Sequence, residues 1–308
     1  MKAGMLFPGQ GSQQPRMLHE LVRNPAVDET LSEVSDVLGL DVRTLDTAQA
    51  LQSAISVQLA ILTAGVATAR ALLQSGLKPL VVAGLSVGAF SAAVAADSIS
   101  LSDGVRLVRS RAEQMEKLYP TGYGLSAIVG LSEAQVAKLV EAENSAEHPV
   151  FVGNVNAPRQ IVIAGSNEGM EQVLQKARAH GARKAERLDV PVPSHCPLLQ
   201  PVADSLRNQL QSIMVKDPKP IYLANVNARA VRTAQGVAKD LADSIAHGVR
   251  WHDATTVAQE LGCELFLEVP PGHTLSDLAQ ENLPGIQAHA ITPETFDRLL
   301  NLRCKHEH

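Results

Sequence analysis

Short apolar runs alternate with longer stretches of helical periodicity along this chain, the pattern of an α/β protein with a largely parallel sheet. Residues 4–7 read as a first strand, stopped by Pro8-Gly9. Residues 55–74 predict a buried helix, with Leu59, Leu62, Val66 and Ala69 at helical spacing. A short buried strand over 81–84 and a helix of small residues over 88–96 follow. A helix over 102–118 is opened by a Ser-Asp cap signal. From 122 to 188 the rhythm changes. A strand over 125–129 leads to Ser132-Glu133-Ala134-Gln135, a capping box that opens a helix through 142. A strand pair at 150–154 and 161–164, a helix over 168–180 and a strand over 184–188 complete the order βαββαβ, which is ferredoxin-like and self-contained. Apolar elements then return as a strand over 221–224, a helix over 236–246 and a strand over 265–269 before Pro270-Pro271-Gly272. The pattern predicts a large discontinuous α/β domain, 1–121 and 190–308, interrupted by a small domain at 122–189. The tail, 304–308, is expected to fray.

Composition narrows the class. With 308 residues, 45% hydrophobic and 19% charged, the chain can bury a sizeable core, and global disorder is excluded. The formal net charge is −5 and no basic stripe is present, which argues against a nucleic-acid binder. Three cysteines are too few and too scattered for a disulfide framework or a zinc site. The N-terminus lacks the apolar segment of a signal peptide. The most apolar stretches, 54–69 and 81–96, fall short of the ~20 residues needed to cross a bilayer. A cytoplasmic protein that does not enter a membrane is expected.

Four features could carry chemistry. Gly84-Leu85-Ser86-Val87-Gly88 fits G-x-S-x-G, the turn that lifts a nucleophilic serine between a strand and a helix. The turn is so tight that its flanking positions have no room for side chains, and the helix N-terminus offers N–H groups to an oxyanion. Without that chemistry, the same residues would serve as a small-residue helix entry in a packed core. A serine needs a base, and His195 stands out among ten histidines because Pro191, Pro193 and Pro197 stiffen its segment. A structural histidine in a rigid hinge is the plainer alternative; His247, His252 and His273 compete for the role from less constrained settings. Arg111 falls among Leu107, Val108, Met115 and Leu118 on the apolar face of its helix, where an unpaired guanidinium is expensive. Its anionic partner is either a buried carboxylate of the protein or a carboxylate on the substrate. Finally, Phe7-Pro8-Gly9-Gln10-Gly11-Ser12-Gln13 follows the first strand, where open α/β sheets place ligands. It is neither a Walker A loop nor a dinucleotide fingerprint.

Together, 7–13, the turn at Ser86, Arg111 with Met115, and Pro193-Ser194-His195-Cys196 closely resemble the malonyl-CoA:acyl carrier protein transacylases. The resemblance runs on through Asn156 and 160–165, Asn225-Val226-Asn227, Val249-Arg250-Trp251 and 268–272, and so covers nearly the whole chain in order. It implies a hydrolase-like α/β large domain with the ferredoxin-like domain inserted, Ser86 as nucleophile and His195 as base. It further implies that the backbone carbonyl of Ser244 orients His195, and that the N–H groups of Gln10 and Val87 form the oxyanion hole. Arg111 would hold the malonyl carboxylate, and Asn156 matches a polar residue near the pocket. Neither metal nor bound cofactor is implied.

One departure is Leu85, where the family usually has histidine. Gly84-Leu85-Ser86-Val87-Gly88-Ala89-Phe90 and Tyr119-Pro120-Thr121-Gly122-Tyr123-Gly124 resemble the branch that serves biotin-independent malonate decarboxylase as its acyltransferase (epsilon) subunit. That branch implies malonyl transfer from malonyl-CoA to the prosthetic-group thiol of the decarboxylase's carrier subunit, in contact with other decarboxylase subunits. The alternatives are a transacylase of fatty-acid or polyketide synthesis and, from a different class, a serine thioesterase or hydrolase, for which a cation buried on the 102–118 helix has no use. A non-catalytic scaffold would gain nothing from all four features.

Overall fold

The computed structural model describes residues 2–304. In chain order the elements are β1 (Ala3–Phe7), α1 (Pro25–Leu38), α2 (Ala54–Gln74), β2 (Val81–Gly84), α3 (Gly88–Ala95), α4 (Leu101–Leu118) and β3 (Tyr123–Val129). Next come α5 (Glu133–Glu143), β4 (Val150–Ala157), β5 (Gln160–Ser166), α6 (Asn167–Ala179), β6 (Lys184–Arg187) and α7 (Gln200–Gln211). The chain ends with β7 (Ile221–Leu223), β8 (Ala230–Val231), α8 (Ala234–Asp243), α9 (Trp251–Glu260), β9 (Leu265–Glu268), α10 (Thr274–Asn282), β10 (Gln287–Ala290) and α11 (Pro293–Cys304).

A six-stranded sheet has the order β10-β9-β1-β2-β7-β8, parallel except for β8. Its central strands are buried along their whole length, as expected where helices cover both faces. Alternate residues feed separate cores. Met5, Phe7 and Val82 pack with α2, α3 and α8, whereas Leu6, Val81 and Ala83 pack with Trp251 and Phe266 under α9 and α10. A second sheet, order β4-β5-β3-β6 and antiparallel throughout, is built from residues 123–187 alone. Its helices α5 and α6 cover it with Val136, Leu139, Met170 and Val173 in a core of their own. The α/β reading with an inserted antiparallel unit therefore holds.

Main-chain pairing also ties the two sheets' surroundings together. Val155 N–H donates to Val249 O at 2.8 Å and Val249 N–H to Gly153 O at 2.8 Å. Beside this bridge the Arg250 guanidinium pairs with Glu133 at the start of α5 and with Asp253.

The structure differs from the pattern in three places. The cap of α4 is Ser100, whose Oγ accepts from Asp103 N–H at 3.0 Å; Ser102 lies inside the helix. Helix α2 ends at Gln74 as the pattern predicts, but, where no stretch is expected to be long and apolar enough to cross a membrane, among the described residues this one helix is. Its apolar window is 83% buried in the protein, so the composition is that of a core helix. The pattern also omits α1, α7, α9, α10, α11, β8 and β10. Of the tail expected to fray, everything after Cys304 lies outside the described residues.

Candidate active site

Between β2 and α3 the chain turns within three residues, and Ser86 sits at the apex with φ of 56°. That is the left-handed region, which a serine enters only when its surroundings enforce it. The flanking glycines show why. A Cβ on Gly84 would lie 2.1 Å from the Gly88 backbone, and one on Gly88 would lie 2.2 Å from Phe7 O. The loop after β1 presses on the same turn: Leu85 N–H donates to Phe7 O at 2.9 Å, and a Cβ on Gly9 would meet Leu85 O at 2.7 Å. This packing brings Gln10 to the cleft beside Ser86, Arg111 and His195, around a cavity of about 40 Å³. No described residue accepts a hydrogen bond from the backbone N–H of Gln10 or Val87.

His195 approaches from the proline-rich segment, also with positive φ, 67°. Its own N–H donates to Ile245 O at 2.8 Å. Its ring Nδ1–H donates to the Ser244 carbonyl at 2.6 Å. Because a carbonyl can only accept, that bond fixes the tautomer and leaves Nε2 without a proton. Nε2 then accepts from Ser86 Oγ at 2.8 Å. Ser244 directly follows α8, where helix carbonyls lack intrahelical partners and are free for this use. Burial, reinforced by the nearby Arg111 charge, pushes His195 down to about 4, so the ring is neutral at physiological pH. Two of the three competing histidines are engaged elsewhere: His247 Nδ1–H donates to Asp243 O, and His273 pairs with Asp277. Cys196, next to His195, is held as a thiol: burial pushes it up to about 12, and it donates to Pro193 O.

Arg111 projects from the buried face of α4 and is 2% exposed. Among the described residues it has no carboxylate partner. Nη2 donates to Ser86 Oγ at 3.1 Å and Nη1 to Gln58 Oε1. Burial lowers its pKa to about 9, so it still carries its charge near neutral pH. Ser86 Oγ thus donates to His195 while accepting from Arg111, the division of labour a hydroxyl allows.

Two asparagines on β4 need separating. Asn154 lines the cavity, while Asn156 does not; each has a buried Oδ1 without a hydrogen-bond partner. The pattern reading also leaves out Gln58 and Asn225. Gln58 is visible in sequence as the polar break in the apolar run of α2, and Asn225 accepts from Ser86 N–H through Oδ1 at 3.0 Å. The assembly is a neutral imidazole on a strained serine, with free N–H groups and an unpaired cation in the same pocket. It can accept the serine proton, form an ester and select an acyl group that ends in an anion.

Known proteins carry the same arrangement of chain. The acyl transferase domain family matches residues 5–294. The malonyl CoA-acyl carrier protein transacylase of Salmonella typhimurium is 38% identical over 294 residues, 93% of this chain and 94% of that one. That of Bacillus subtilis is 31% identical over 302 residues, 96% and 95% of the two chains. Among solved structures, the Coxiella burnetii transacylase superposes with a TM-score of 0.93 at 32% identity, covering 98% of this chain and 97% of the other. A malonyl-transacylase solved with a type II polyketide acyl carrier protein gives 0.93 at 33% identity, covering 98% and 100%. With the family matching nearly end to end, the chain belongs to the acyl transferase domain family, among the malonyl-CoA:acyl carrier protein transacylases.

Proposed function

We propose that this protein moves malonyl from malonyl-CoA to the prosthetic-group thiol of an acyl carrier protein by a ping-pong route through a Ser86 ester. The observation that carries the reading is Arg111, a buried cation with no carboxylate of its own, hydrogen-bonded to the serine oxygen. His195 takes the Ser86 proton as the oxygen attacks the thioester, and the N–H groups of Gln10 and Val87 receive the oxyanion. The imidazolium returns its proton to the departing CoA sulfur. The carrier thiol then enters, gives its proton to His195 and attacks the ester, and collapse of the second tetrahedral intermediate returns the proton to Ser86. Arg111 exchanges its contact with Oγ for the malonyl carboxylate, while Asn156, which does not line the cavity, is left without a part in the step. The residue ranges 1–121 with 190–308, and 122–189, form the catalytic domain and its insertion.

The carrier is best read as the acyl carrier protein of fatty-acid or polyketide synthesis, since the relatives above are transacylases and one is solved with a polyketide carrier. A second reading, the carrier subunit of malonate decarboxylase, draws on Leu85 in the cleft wall and on the segment from Tyr119 to Gly124. The test is brief exposure to malonyl-CoA followed by intact-mass measurement. One malonyl adduct is expected, lost in Ser86→Ala; an adduct that survives that change defeats the reading. Offering the acylated protein both carriers separates the two carrier readings by rate, and malonate released in their absence would point to a hydrolase instead.

A further inference from the structure

The turn that presents Ser86 is held by a buried side-chain network that reaches α8. Ser86 N–H, stranded by its left-handed conformation, donates to Asn225 Oδ1 at 3.0 Å. An asparagine amide can face either way, and only one orientation presents oxygen to Ser86. With the other, two N–H donors would meet and the Ser86 N–H would be buried without a partner. Asp240 decides between them. Its Oδ2 accepts from Asn225 N–H at 3.0 Å and from Tyr222 O–H at 2.8 Å, and it faces Asn225 Nδ2 at 3.4 Å. Its Oδ1 accepts from Val226 N–H at 3.1 Å. Both oxygens are occupied as acceptors, so the carboxylate can tolerate the amide only with its NH₂ turned inward. Asp240 is 4% exposed.

The same helix carries the other half of the machinery. Ser244, whose carbonyl orients His195, lies four residues beyond Asp240 and hence on the same side of α8. We propose that Asp240 is a positioning residue: through Asn225 it fixes the Ser86 turn, and through α8 it holds that turn in register with the carbonyl that orients His195. The proposal rests on Ser86 being the nucleophile. It predicts that loss of the carboxylate lowers serine reactivity rather than substrate affinity.

The experiment compares Asp240→Asn, Asn225→Ala and the double variant, reading the rate of Ser86 labelling by a fluorophosphonate together with kcat and KM for malonyl transfer. Each single change is expected to lower labelling and kcat about tenfold while KM for malonyl-CoA stays within about twofold. The double variant should be no slower than Asn225→Ala, because the two residues act in series. Leu241→Ala serves as the structural control: it opens a cavity under the same helix without touching the carboxylate. It should lower Tm at least as much as Asp240→Asn while changing labelling less than twofold. Equal loss of labelling in Leu241→Ala, or additive losses in the double variant, would overturn the proposal. Wild type that fails to label at Ser86 would overturn the nucleophile assignment as well. Labelling that is normal in both wild type and Asp240→Asn overturns the positioning role alone.

Discussion

Arg111 Nη2 stands 3.1 Å from Ser86 Oγ, the same atom that His195 Nε2 engages at 2.8 Å. A guanidinium in that place has two consequences. It waits for an anion beside the reacting atom, and it penalises any acyl group that leaves it unpaired.

Arg111→Ala should therefore lower kcat/KM for malonyl-CoA by about 100-fold or more while acetyl-CoA stays level or improves. Arg111→Lys should restore part of the malonyl rate, since it keeps the charge without the planar two-point geometry. Rates with the two thioesters, alongside melting temperatures, make the check. A fall of both in parallel with Tm would return Arg111 to a structural role.

The pH profile follows from burial. Because His195 is lowered to about 4, Ser86 labelling by a neutral fluorophosphonate should stay flat from pH 8 to about 5 and fall only below that. Arg111 is among the causes of the lowering, so Arg111→Ala should move this acid limb upward, toward the ordinary histidine value near 6.5. The folded state binds the His195 proton less readily than the unfolded chain does. This histidine's contribution thus favours folding fully above about 6.5 and is lost as pH falls toward 4. A wild-type limb near 6.5 would contradict the depressed value.

Ser244→Ala should retain most activity, because the group that meets His195 is the main-chain carbonyl. Steady-state rates on the purified variant decide it, and a collapse in a well-folded protein would assign the role to the Ser244 hydroxyl.

Gly88→Ala puts a methyl 2.2 Å from Phe7 O, and Gly84→Ala puts one 2.1 Å from the Gly88 backbone. Neither obstacle is a flexible side chain, so the turn itself has to shift. Each change is expected to lower stability by about 1–3 kcal/mol and to reduce Ser86 labelling more than Tm alone would explain. Thermal melts with parallel labelling measure both.

These particular glycines explain why the nucleophile turn is legible in sequence: a backbone collision admits one residue type, and the spacing records it. Arg111 is legible for a related reason, since a charge at i+4 from Leu107 and i−4 from Met115 violates the apolar stripe of its helix. Asn225, although its triplet with Val226 and Asn227 belongs to the family resemblance, and Asp240 leave no such mark of their roles. A polar residue in a loop and an acid on an amphipathic helix look ordinary until their burial is known, and their partners lie far away in sequence. In α1, Asn24 as cap, Pro25 at the first position and Gly39 beyond the end are readable helix signals, with Val27, Leu31 and Val34 on its buried side. Strand β10, Gln287–Ala290, is a different matter: an edge strand with little apolar alternation is held by pairing with β9 and not by its composition.

The main-chain bridge between Val155 and Val249 has a kinetic meaning. Paired amides stitch β4, which carries Asn154 of the cleft wall, to Val249, and swinging that wall away from Ser86 would first have to break them. Two thiol-bearing arms then have to use the doorway to Ser86 in turn, and the first must leave before the second enters. Under the proposed route, free CoA and the carrier become rivals for the acylated enzyme, and a surplus of CoA would send malonyl back the way it came.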